Sequence, residues 1–173
     1  PAAILPAAPV LTQGSGAFDV TLVTAGVQGL TVASVAAPAV SAAASVTVLA
    51  GAASRLEAVS GGGQSGAVGA PLAAPFVVRA TDAFGNPRSG VAVAFTAPAG
   101  GSVDQASPET GPDGTAAALG RLGPAAGPQT FSASATGLGG ALVTFTATAT
   151  PGPAASLALA GLPAAVAAGA VSD

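Results

Sequence analysis

Residues 71–95, PLAAPFVVRATDAFGNPRSGVAVAF, decide the fold. Phe76, Val78 and Ala80 alternate along one side of a first strand, and Val91, Val93 and Phe95 along one side of a second, because strand side chains point to opposite faces with period two. Each strand therefore offers one face for burial. Between them, Asp82-Ala83-Phe84-Gly85-Asn86-Pro87 reads as a chain reversal: Asp82 accepts backbone N–H bonds, Gly85 takes positive φ, and Pro87 cannot donate to a central ladder.

Working outward, turn signals recur at Gly61-Gly62-Gly63, Pro98 to Gly101, Pro108 to Gly114, Gly123 to Pro128 and Gly137 to Gly140. The intervals suit a seven-strand sandwich, with strands near 54–60, 74–81, 90–97, 101–104, 115–122, 129–136 and 141–149. Beyond the residues already named, Leu72, Val103, Ala116, Ala118, Leu122, Phe131, Ala133, Val143 and Phe145 are expected inside. Half of the 173 residues are hydrophobic, but most of these are alanine, and six Phe are the only aromatic residues. Burying a Phe or Leu stabilises by about 1.5–3 kcal/mol and an Ala by far less, so the Phe cluster should dominate the core. Ala36–Ala44 and Ala164–Ala168 have high helix propensity. Pro38 and Pro163 interrupt or border them, and neither carries an apolar stripe at helical period, so the whole chain reads as all-β.

The junction Ala50-Gly51-Ala52-Ala53-Ser54-Arg55-Leu56 is echoed by Pro151-Gly152-Pro153-Ala154-Ala155-Ser156-Leu157. Each follows a strand-like run, and their separation of about 100 residues is one sandwich domain. The expected organisation is immunoglobulin-like β-sandwich modules in tandem: 1–50 the C-terminal part of one, with strands at 17–22, 28–34 and 45–49; 51–150 complete; 151–173 the first strand of a third. The chain opens on Pro1 and carries no signal peptide or stop-transfer segment, so it is expected to be an internal piece of a longer exported protein.

Composition narrows the chemistry. With four Arg, no Lys and no His, a nucleic-acid surface is not expected. No stretch of about 18 strongly apolar residues escapes Gly, Pro or hydroxyl residues, so no membrane span is expected. Zero Cys removes disulfides and thiolate sites. Without His, Cys or Lys, neither a Ser-His-Asp arrangement, a thiol nucleophile nor Schiff-base chemistry is available. The chain is read as a non-enzyme with no catalytic, cofactor or metal residues.

Asp104, Glu109 and Asp113 share one loop region but lack a calcium-loop pattern, and read as solvated turn residues. Asp82 and Asn86 read as turn caps, with an inter-module cation as the alternative. Gly61-Gly62-Gly63 and Gly137-Leu138-Gly139-Gly140 lack the Lys-Ser/Thr and the helix of a phosphate loop. Thr144, Thr146, Thr148 and Thr150 form a solvated strand face.

Residues 54–149 resemble the bacterial immunoglobulin-like domain of the invasin/intimin group. The resemblance is carried by Gly66-Ala67-Val68-Gly69 leading into Leu72, Phe76 to Pro87, Gly90 to Phe95, Asp113-Gly114-Thr115-Ala116, Phe131 to Gly137 and Val143 to Ala147. The segment Phe18 to Gly26 resembles the hairpin before the final strand of such modules. The resemblance implies a rod-like spacer in a large exported bacterial surface protein, commonly an adhesin, located outside the cell, with neighbouring modules of the same chain as its partners. Two alternatives stay open: a glycan- or protein-binding module using end loops, with Phe84 and Arg88 as its test positions, and a fibre subunit whose open edges are completed by strands from other copies.

Overall fold

The structure is a computed structural model of the 173-residue chain, and it describes residues 3–6, 10–138 and 142–153. Its elements are all strands: β1 (Gly26–Ala33), β2 (Ser41–Val48), β3 (Ala53–Ser60), β4 (Gln64–Ala67), β5 (Phe76–Asp82), β6 (Val93–Thr96), β7 (Ser102–Val103), β8 (Thr115–Ala118), β9 (Gly120–Arg121), β10 (Gly127–Ala135) and β11 (Val143–Thr150). Among the described residues no helix is long and apolar enough to cross a membrane.

Two sheets form the complete module, one ordered β3-β5-β8 and the other β4-β11-β10-β6, with a short β7-β9 pair beside them. This is the expected immunoglobulin-like sandwich. Phe76, Val78 and Ala80 from β5 meet Val93 and Phe95 from β6, Phe131 and Ala133 from β10, and Phe145 from β11, all buried. The Phe76 ring lies 4.7 Å from both the Phe131 and the Phe145 ring centroids, tilted by 41° and 33°. Both separations fall in the range where aromatic pairs add to area burial. Of the other inward expectations, Leu72, Ala116, Ala118 and Leu122 are buried, whereas Val91, Val103 and Val143 are only half-buried at the margin.

Several strands differ from the sequence reading. Residues 64–67, where no strand was expected, form β4 and pair in parallel with β11. The three glycines at 61–63 are the hinge that carries the chain from β3 in one sheet to β4 in the other. Gly61 takes φ 103°, and a Cβ there would collide with the Pro75 carbonyl, so only glycine fits. The expected strand 115–122 is divided at Leu119 into β8, which pairs with β5, and β9, which pairs with β7. At the break Leu119 bonds to Asp104 through both its N–H and its carbonyl, and just past it a Cβ at Gly120 would sit 2.6 Å from Phe76 Cε2 and 2.9 Å from Phe131 Cε1. Rings of the core lie directly on this backbone. The strand expected at 101–104 shrinks to the two residues of β7.

Before the module lies the β1-β2 hairpin. Expected strand 17–22 is not formed; only Thr21 bridges to Ile4, because an alternating segment becomes a strand only where a partner edge meets it. The alanine-rich run from 36 enters β2 rather than a helix. An apolar groove of about 470 Å³ runs between Phe18, Val20, Leu30 and Val32. The second alanine run, 164–168, the strand expected in 151–173 beyond 153, and Gly139 and Gly140 lie outside the described residues.

Candidate functional site: the junction held by the Asp82 turn

The site is built by the turn that follows β5. Asp82 ends the strand, Gly85 takes φ 86°, and the Asp82 N–H closes onto the Asn86 carbonyl at 3.0 Å. This arrangement turns the Asp82 and Asn86 side chains toward residues 23–25 and 50–51, ahead of β3 in the chain. Both are buried, at 2% and 7% exposure.

The Asp82 carboxylate accepts four hydrogen bonds. Its Oδ1 takes the N–H groups of Phe84 and Asn86, both at 2.9 Å. Its Oδ2 takes the Gly51 N–H at 2.9 Å and the Asn86 Nδ2 at 2.8 Å. Asn86 continues the chain of contacts: Nδ2 also donates to the Val23 carbonyl at 2.8 Å, and Oδ1 accepts the Ala25 N–H at 2.9 Å. Arg88 Nη1 adds a bond to the Ala50 carbonyl at 3.2 Å. One turn therefore grips both the segment entering β1 and the linker leaving β2.

Every donor to Asp82 is an uncharged N–H group. Burial pushes the carboxyl up, but the bonds from the Asn86 side chain, Gly51, Asn86 and Phe84 outweigh it and lower its pKa to about 2 from an ordinary 3.8. A carboxylate with its lone pairs so committed offers a cation little, since an ion would have to displace N–H groups that would then be left buried and unpaired. The Asp82 carboxylate caps its own turn, and the turn also bonds to the backbone of residues 23–25 and 50–51. Sequence reasoning missed that reach. Its partners are backbone groups of Val23, Ala25, Ala50 and Gly51, which carry no residue signature; the one available signal was the repeated Gly51 and Gly152 linker.

Asp104, Glu109 and Asp113 are not brought together. Asp104 Oδ1 accepts the N–H groups of Gln105 and Leu119, both at 2.7 Å. Asp113 caps its own turn through the Thr115 N–H at 3.0 Å and the Thr115 hydroxyl at 2.8 Å, which holds its carboxyl below the usual range. Glu109 sits in a bridge with Ala92. Among the described residues no group of three or more His, Cys, Asp or Glu is placed to hold a metal. Thr144, Thr146, Thr148 and Thr150 line the exposed side of β11. Phe84, at the tip of the turn, is 54% exposed.

The depressed Asp82 pKa has a measurable consequence. Its contribution is fully present above the unfolded value near 4 and is lost as pH falls through the folded value near 2. By linkage this is worth roughly 2 kcal/mol. Urea unfolding is expected to give a flat stability from pH 7 to about 4 and a decline below it. In Asp82→Ala the decline should be shallower, and a profile identical to the parent chain would show that the carboxylate is not held this way.

No family profile matches the chain, and no curated protein matches it. Solved structures similar to it include domains 4 and 5 of the S-layer protein SbsC, at 22% identity over 62% of this chain and 58% of that one, TM-score 0.44. The Escherichia coli adhesin FdeC is similar at 25% identity over 62% of this chain and 35% of that one, TM-score 0.44. The D00-D0 domain of intimin is similar at 16% identity over 62% of this chain and 54% of that one, TM-score 0.40. The chain thus spans less than two thirds of each of these solved chains.

Proposed function

We propose that the chain is a spacer segment of a bacterial surface protein, in which sandwich modules are joined end to end at fixed angles. The carrying observation is the junction: a buried hydrogen bond from Asn86 to Val23, with partly buried ones from Ala25 to Asn86 and from Gly51 to Asp82, ties the turn after β5 to the chain ahead of β3. A flexible linker needs no such bonds. A stalk that keeps its reach does, because free rotation at each joint shortens the end-to-end distance.

On this reading residues 1–50 are the closing portion of a preceding module, 51–150 a whole one, and 151–173 the start of a third. Support comes from the hairpins. Gly26 pairs with Val48 and Gly127 with Ala149, and Leu30 with Ala44 and Phe131 with Phe145, each residue 101 positions from its counterpart. Val32 and Val46, exposed on the first hairpin, fall where Ala133 and Ala147 are buried on the second. The first hairpin thus has the layout of a core face. An extracellular location and the lack of an enzymatic role follow from the same reading.

The test is rotational. Backbone 15N relaxation on the chain should give β1-β2 and the complete module one common tumbling time, and small-angle scattering should give an elongated particle. Separate tumbling of the two would refute the spacer role. Specific glycan capture lost in Phe84→Ala would replace it by the binding-module alternative.

A further inference from the structure

The grip at residues 82–88 has a counterpart surface at the far end of the module. The groups held at the near junction are the Val23 and Ala50 carbonyls and the Ala25 and Gly51 N–H groups. Displaced by the 101 residues that superpose the two hairpin registers, they become the Pro124 and Pro151 carbonyls and the Ala126 and Gly152 N–H groups. The backbone is matched where it matters, for the glycine opening each hairpin has nearly the same conformation, with φ 109° at Gly26 and 112° at Gly127. All four groups are main-chain, so the change of side chain from Val23 to Pro124 leaves the set intact.

The far set is unused among the described residues. Val23 is buried at the near junction, whereas Pro124, Ala126, Pro151 and Gly152 are exposed, and the Ala126 and Gly152 N–H groups have no hydrogen-bond partner among the described residues. The loop bearing Pro124 is also braced. The buried Gln129 side chain accepts the Gly123 N–H at 2.8 Å and donates to the Gly123 and Ala125 carbonyls at 3.3 and 2.6 Å. Such bracing lowers the ordering entropy of a partner's binding.

We infer that residues 124–126 and 151–152 form a docking surface for a following module of the same kind, whose Asp-Ala-Phe-Gly-Asn-type turn takes the Ala126 and Gly152 N–H groups and the Pro124 carbonyl. The partner is a second copy of the 53–150 module, recognised through main-chain groups. Its reading side is the Asp82 and Asn86 pair. This rests on the spacer reading and adds to it that one joint is repeated with the same atoms.

The experiment is a tandem in which residues 1–153 run directly into a second copy of 53–150, compared with the chain of 173 residues by amide exchange. The Ala126 and Gly152 amides are expected to exchange at least about tenfold more slowly in the tandem, and Asp82→Ala or Asn86→Ala in the second copy alone should abolish that slowing. Unchanged exchange at Ala126 and Gly152, with the second copy's β10 and β11 amides protected, would overturn the inference while leaving the spacer reading standing. Loss of protection at Ala25 and Gly51 as well would overturn both.

Discussion

Phe76→Ala is expected to destabilise the module by about 3–5 kcal/mol, the largest effect of any single truncation in this chain. Phe76 is fully buried and is the ring that both Phe131 and Phe145 touch. Much of the remaining core is alanine: Ala80, Ala116, Ala118, Ala133, Ala147 and Ala149. Such residues have few atoms with which to collapse into the space a lost ring leaves, so the cavity term should be near its upper range. Domains of this size have net stabilities of about 5–15 kcal/mol. The variant should therefore lose a large fraction of its stability margin, read as a fall in the urea midpoint. Phe84→Ala is the matched control. Its ring is 54% exposed, and the change should stay within about 0.5 kcal/mol. Equal effects of the two substitutions would mean that the three-ring cluster does not organise the sandwich.

Much of this core was legible in the sequence. Alternation in 76–80 and 91–95 named Phe76, Val78, Ala80, Val93 and Phe95 correctly, because the burial of one sheet face is written directly in the residue pattern. What escaped depends on contacts between distant segments. Gln64-Ser65-Gly66-Ala67 has no β-branched or aromatic residue, and it is a strand because β11 offers it an edge. The break between β8 and β9 falls where Leu119 bonds to Asp104, and the residues around it give no sign of it. Ala17 to Leu22 errs in the opposite direction, having the pattern of a strand with only one bridge partner. The junction shows the same division. Asp82, Gly85, Asn86 and Pro87 announced a turn through their own chemistry, while its hold on Val23, Ala25 and Gly51 uses groups that every residue possesses.

The junction is most sharply tested by two substitutions at one position. Asn86→Ala removes the bonds to the Val23 carbonyl, the Ala25 N–H and Asp82 Oδ2 together, and each buried group left unsatisfied costs about 1–3 kcal/mol. Exchange at the Ala25 amide should accelerate by about 5- to 150-fold, the ratio that corresponds to a coupling of that size. The β10 and β11 amides should change far less, since their ladder lies away from the turn. Asn86→Asp keeps the shape and an acceptor for Ala25, yet it places a second carboxylate where Nδ2 now lies 2.8 Å from Asp82 Oδ2. Two buried carboxylates at that distance cannot both remain ionised. At pH 7 Asn86→Asp should therefore loosen the joint more than Asn86→Ala does. Acidification should reverse the order, because a shared proton restores a donor between the two side chains, and the crossover should come above pH 4, as like-charge repulsion raises the pair's affinity for that proton. If the two variants instead behave alike at every pH, then the Asn86 amide is not bonded to Asp82, and the joint is held by the linker backbone alone.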